Sequence, residues 1–195
     1  MAGLGIPLLR ARAEEPLLLT FDGDNIRVAP PAIHFLTGKP LQRLKDDAAT
    51  VIFDSQITLF SDDHGTIFHR PVTERLIISY ALWEEKFSVT NLVTPRRTAR
   101  HLTNFAAEAW CLKEMSTDIS GVRPDEPLWA RLEIRAEEVK ESGQPFGRGS
   151  ITDSGISLTP LIEIFSRPAA TTQPHWNIEA GPVTLDELRR GRRRG

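Results

Sequence analysis

The sequence predicts an α+β fold, mainly antiparallel β. It is read as a β-sandwich with one amphipathic helix over about residues 95–114 and a C-terminal arm. Three observations predict it. Over residues 128–137, Leu128, Ala130, Leu132, Ile134 and Ala136 alternate with Trp129, Arg131, Glu133, Arg135 and Glu137. Such alternation packs one face of a strand and wets the other, as antiparallel sheets do. Over residues 75–90, Leu76, Ile78, Tyr80 and Leu82 share a face, Glu84-Glu85 turn the chain, and Phe87 and Val89 return as a hairpin. Finally, Leu102, Phe105, Ala106, Ala109, Leu112 and Lys113 follow a helical stripe behind Thr94 and Pro95, a capping residue and a first-turn proline.

The remaining elements follow in chain order. Leu17, Leu19 and Phe21 alternate with Leu18 and Thr20, and Asp22-Gly23-Asp24-Asn25 turns into Ile26-Arg27-Val28. Gly38-Lys39-Pro40 opens a short helical turn with Leu41 and Leu44 on one face. Residues 50–60 form a strand with Val51, Phe53, Ile57 and Leu59 opposite Asp54, Gln56 and Thr58, closed by the loop Ser61-Asp62-Asp63-His64-Gly65. Residues 141–157, with four glycines, read as a polar loop, and Ser157-Leu158-Thr159-Pro160 opens a short helix bearing Leu161, Ile164 and Phe165. Thr184-Leu185-Asp186-Glu187 makes a capping box for a last helical turn. The organisation expected is a leader remnant over 1–13, a β-rich domain over 14–138, an irregular docking arm over 139–188 and a basic tail over 189–195.

Composition bounds the function. The 195 residues, 40% hydrophobic and 26% charged, suit one soluble domain with a real core. The apolar runs are too short to span a membrane. Cys111 is the single cysteine, so no intramolecular disulfide forms. A net charge of −2 argues against a general nucleic-acid binder. Its distribution is uneven, because Arg189, Arg190, Arg192, Arg193 and Arg194 hold five positive charges and the rest of the chain carries −7. That tail is a candidate contact for an anionic partner, with a solvated end as the plainer expectation. Ala11-Arg12-Ala13 before Glu14-Glu15-Pro16 has the small-x-small form of a signal-peptidase site, behind the apolar patch at residues 6–9. It reads as the tail of a signal peptide whose start lies upstream, which places the protein in the periplasm or another envelope compartment.

The candidate chemistry is sparse. His64 beside Asp62 and Asp63 suggests a metal site, but a transition metal needs three or four converging ligands. His69 lies about 16 Å along a strand from His64. A solvated loop is expected there. Glu84-Glu85 are consecutive and point apart, so a carboxylate pair for acid–base work is not formed. Asp22, Asp24 and Asp54 form a possible acidic calcium edge, without the spacing of a calcium loop. Cys111 needs a nearby base to act as a nucleophile, and His101 is too far along the helix to serve. Ser150, in Gly147-Arg148-Gly149-Ser150, lacks the lysine of a phosphate loop, and no G-x-S-x-G elbow occurs. No cofactor is called for. Trp83 and Trp129, on the wet sides of their strands, are the best internal candidates for a binding face. The competing expectation is that the arm covers them.

Arg75-Leu-Ile-Ile-Ser-Tyr80 running into Leu82-Trp-Glu-Glu-Lys-Phe-Ser-Val89, the helix that follows, and Leu128-Trp-Ala-Arg-Leu-Glu-Ile-Arg135 carry a resemblance. The segment resembles a family of exported bacterial proteins of unknown function, encoded in proteobacteria near nitrogen-regulation sensor kinases. The resemblance covers under half the chain. It implies a β-sandwich-like envelope protein and assigns no catalytic residues. The function expected is therefore non-enzymatic: binding another envelope protein or an amphipathic ligand through a sheet face or edge. Two alternatives stand beside it. One is a small hydrolase or metal-dependent enzyme built on an acidic cluster with His64 or His69. The other is a cytoplasmic accessory protein whose arginine tail contacts nucleic acid.

Overall fold

A computed structural model describes residues 17–29, 33–63, 65–68, 70–137 and 173–192. The chain is mainly antiparallel β, in two sheets, with short helices. A six-stranded sheet has the order β6-β5-β4-β3-β8-β9, and a three-stranded sheet the order β1-β2-β7. The strands are β1 (Leu19–Asp22), β2 (Asn25–Val28), β3 (Val51–Phe60), β4 (Val72–Ala81), β5 (Lys86–Asn91), β6 (Arg97–Leu102), β7 (Ser116–Asp118), β8 (Leu128–Ala136) and β9 (His175–Val183). The helices are α1 (Gly38–Asp46), α2 (Asn104–Glu114) and α3 (Leu185–Arg192).

The period-two patterns translate directly into the core. Register places Phe53 opposite Leu76 and Ala136, and Ile57 opposite Leu132. These side chains share one face of the large sheet and are buried. Helix α1 rests on β3 and β4, and α2 touches β5 and β6 on the large sheet and β2 on the small one. Ile26 and Val28 of the small sheet thereby join Phe35, Phe53 and Leu112 in one apolar cluster. The opposite face of the large sheet carries the polar alternates. There Asp54 faces Arg75 and Arg135, and Arg131 faces Glu179 and Thr58.

Two expectations are corrected here. The helix expected over 95–114 is split. Arg97–Leu102 is the edge strand β6, paired to β5 with Thr98 opposite Thr90 (their hydroxyls 3.0 Å apart), and α2 starts only at Asn104. Thr103 is the true cap: its Oγ1 accepts the Ala106 N–H at 3.2 Å. The arm expected to be irregular over 139–188 contains β9. Its Trp176, Ile178 and Ala180 face the core while His175, Asn177 and Glu179 face out, and it extends the sheet from β8. The expected polar loop and the short helix near residue 160 lie outside the described residues, as do residues 1–16. The capping box at Thr184 forms as expected: the Thr184 N–H donates to Glu187 at 2.8 Å, and the Glu187 N–H to Thr184 Oγ1 at 3.2 Å.

Candidate functional site: an apolar groove beside the second helix

Helix α2 is built inside out. Its buried face carries Ala107, Glu108, Cys111, Leu112 and Glu114. Phe105, Ala106, Ala109 and Trp110 lie on another side, and Phe105 is 54% exposed. Buried carboxylates are costly unless hydrogen-bonded, and both are. Glu108 Oε1 accepts the Leu36 N–H at 2.8 Å, and its Oε2 lies 2.8 Å from His34 Nδ1. Glu114 pairs with Arg97 at 2.7 Å and, with Glu74, accepts from the amide of buried Asn91. Burial pushes the Glu74 carboxyl above its ordinary range; the Asn91 hydrogen bond opposes this, and Glu114 adds to it. These bonds fix the rotation of the helix. Of the stripe expected to face the core, Leu112 does so, while Phe105, Ala106, Ala109 and Lys113 are turned sideways.

The displaced stripe lines a groove of about 880 Å³. Phe105, Ala106, Ala109 and Trp110 form one wall, and Lys113 closes the end of the stripe. Leu19, Phe21 and Val28 of the β1–β2 hairpin form the floor, with Leu188 of α3 opposite. Charges of both signs sit at the margin: Asp22 and Arg27, 3.0 Å apart, then Lys113 and Glu187. Arg189 lies over the Phe21 ring at 4.9 Å and reaches Asp186 at 4.0 Å, and Arg190 Nε donates to the Asp186 carbonyl at 3.1 Å. The expected solvated tail therefore begins as helix, with Arg189 packed on an aromatic ring of the groove. The side chain of Arg192, and all of Arg193 and Arg194, lie outside the described residues.

The other candidate residues scatter. Trp83 is fully exposed in the turn between β4 and β5 rather than on a strand side. Trp129 is half-buried opposite Phe60, at the far end of β3. Since β3 runs from the hairpin end of β4 to Phe60, the two tryptophans stand roughly 30 Å apart along the strands. They do not make one binding face. Trp176 packs, partly buried, against the core, its ring 6.2 Å from Phe35 and 6.3 Å from Phe53.

Asp22 pairs with Arg27 on the small sheet while Asp54 is buried on the outer face of the large one. The acidic edge proposed for Asp22, Asp24 and Asp54 is therefore not assembled. Among the described residues no three His, Cys, Asp or Glu side chains converge as metal ligands. His64, His69 and Ser150 lie outside the described residues. Glu84 pairs with His101 at 2.9 Å in the hairpin region. Cys111 is buried beside Glu108 and Glu114; burial first, then their charge, pushes its thiol far above the usual range. A thiol so placed is not a nucleophile.

Comparison with protein-family models, with curated proteins and with solved structures finds no match to the chain.

Proposed function

We propose that this protein is a non-enzymatic binding module whose groove receives one amphipathic helix of a partner protein. The observation that carries the proposal is the face of α2: an apolar stripe of Phe105, Ala106, Ala109 and Trp110 lining a cavity of about 880 Å³, with Trp110 anchored by partial burial against the core. From Phe105 to Lys113 the stripe is about 12 Å long, enough for two turns of an incoming helix. Ala106 and Ala109 are small, so a second helix axis can approach to about 8–10 Å. A rim holding Asp22, Arg27, Lys113 and Glu187 suits the mixed charges flanking an amphipathic helix better than the single head group of a lipid acid. The cell envelope is the proposed compartment, supported by the Ala11-Arg12-Ala13 site. The intact mass of the protein from its native host reads that directly, since a chain beginning at Glu14 records cleavage.

A fluorescein-labelled, 18-residue designed peptide with leucines on one face and alternating Lys and Glu on the other tests the groove by anisotropy. Wild-type protein is expected to bind it with a micromolar Kd. Ala109→Glu, which sets a charge in the wall, is expected to weaken binding at least tenfold with Tm unchanged within about 3 °C. Equal binding by Ala109→Glu rejects the groove. Binding of a short-chain fatty acid but not of the peptide rejects the helical partner.

A further inference from the structure

We infer that β6 is a docking edge for an acidic, extended segment of a partner protein, added as a seventh strand to the large sheet. The two edges of that sheet are unlike. On β9 the outer side is engaged by Leu17, whose N–H donates to the Glu179 carbonyl at 3.1 Å, and Pro182 removes a backbone donor. On β6 four residues of the six are exposed, namely Arg97, Thr98, Arg100 and His101, and among the described residues the strand pairs only with β5. A strand edge left in this way presents free N–H and C=O groups to any extended chain that fits.

Charge decides which chain fits. Register places Asn91 opposite Arg97 and Thr90 opposite Thr98. Arg97 therefore lies on the inner face with Asn91, where Glu114 neutralises it at 2.7 Å. Thr98 lies on the outer face with Thr90; Arg96 and Arg100 flank it in sequence, both are exposed, and neither has an ion-pair partner among the described residues. Two uncompensated guanidinium groups flanking the regular ladder repel a second copy of the same edge. The same pair attracts a strand with carboxylates on alternate residues, so it excludes self-pairing and selects the opposite sign. At the other end, His101 adopts φ +57° and pairs with Glu84, and the ladder shifts register between Ala99 and Leu102. The regular ladder thus covers Arg97, Thr98 and Ala99, and the incoming segment is short.

The inference does not depend on the groove, whose lining shares no residue with β6. The test uses the full chain, labelled with ¹⁵N, and two capped seven-residue peptides of sequence Glu-Thr-Glu-Val-Glu-Thr-Glu and Lys-Thr-Lys-Val-Lys-Thr-Lys. The acidic peptide is expected to shift amide signals of residues 96–102 and to bind at least fivefold more weakly when salt rises from 50 to 300 mM. The basic peptide is expected to leave them unmoved. In the double variant Arg96→Glu with Arg100→Glu, the preference is expected to reverse, which a merely unfolded protein would not show. Ala109→Glu is expected to bind the acidic peptide as wild type does. Absence of binding at 50 mM salt, shifts centred elsewhere, or an unreversed preference in the double variant overturns the inference.

Discussion

At neutral pH Asp54 holds a charge where water is scarce. Burial pushes its carboxyl up to about 6 from 3.8; Arg75 pulls it back, Glu137 pushes it further and Arg135 opposes. Its Oδ1 stands 3.6 Å from Arg75 Nε, too long for a hydrogen bond. The folded chain thus binds this proton more tightly than the unfolded one. Its contribution to stability is complete below about 4 and is lost as pH rises through about 6. Asp54→Asn keeps the shape without the charge. Urea melts at pH 4.5 and 7.5 should therefore show wild type losing about 1–3 kcal/mol more over that interval than Asp54→Asn does. Equal losses would mean that Asp54 does not titrate there. Gly181 poses a steric case. It sits at φ +130°, and a Cβ there would lie 2.8 Å from the Leu128 carbonyl and from the Trp129 ring. Gly181→Ala is expected to cost about 1–3 kcal/mol by thermal or urea melting, whereas a substitution at exposed Trp83 should cost under about 0.5.

Helix α2 separates what sequence can show at the scale of an element from what it cannot. That a helix occupies residues up to Glu114 was legible, because Ala, Leu and Glu dominate the segment. Its face was not. Apolar periodicity favoured Phe105 and Ala109 as core, yet Glu108 and Glu114 are buried because partners 72 residues away (the Leu36 N–H) and 23 residues away (the Asn91 amide) donate to them. No local pattern announces such partners. Its start was misplaced because Thr94-Pro95 and Thr103 both offer a capping threonine, and pairing of Thr98 with Thr90 settles which is used. Thr103→Ala is accordingly expected to lower stability by about 1 kcal/mol, while Thr94→Ala should leave it within about 0.5. Equal effects in urea melts would return the cap to Thr94. The groove itself was invisible for the same reason as the helix face: it exists only because α2 is rotated.

At the scale of the whole molecule, β3, β4, β5 and β8 follow from alternation, but their order does not. Residue 133 on β8 meets Gln56 of β3 on one side and Asn177 of β9 on the other, so the sheet is closed by a strand from near the end of the chain. The three core-facing apolar residues of β9, Trp176, Ile178 and Ala180, are too few to separate a strand from a loop by pattern alone. Their role appears only once β8 offers them an edge. Truncation tests this division. A chain ending after Val183 loses α3, and with it buried Leu185 on the rim of the small sheet. One buried leucine contributes about 2–3 kcal/mol, so this chain should remain a folded monomer with Tm lower by about 5–10 °C. A chain ending after Glu137 also loses β9. Leu132 and Ile134 then lose their cross-strand cover from Ile178 and Trp176, and β8 becomes a nine-residue unpaired edge. Long apolar edges seek another strand, so size-exclusion chromatography should find this chain oligomeric or insoluble. A monomeric, cooperatively melting chain of 137 residues would show that β9 is an accessory to the sheet rather than part of its closure.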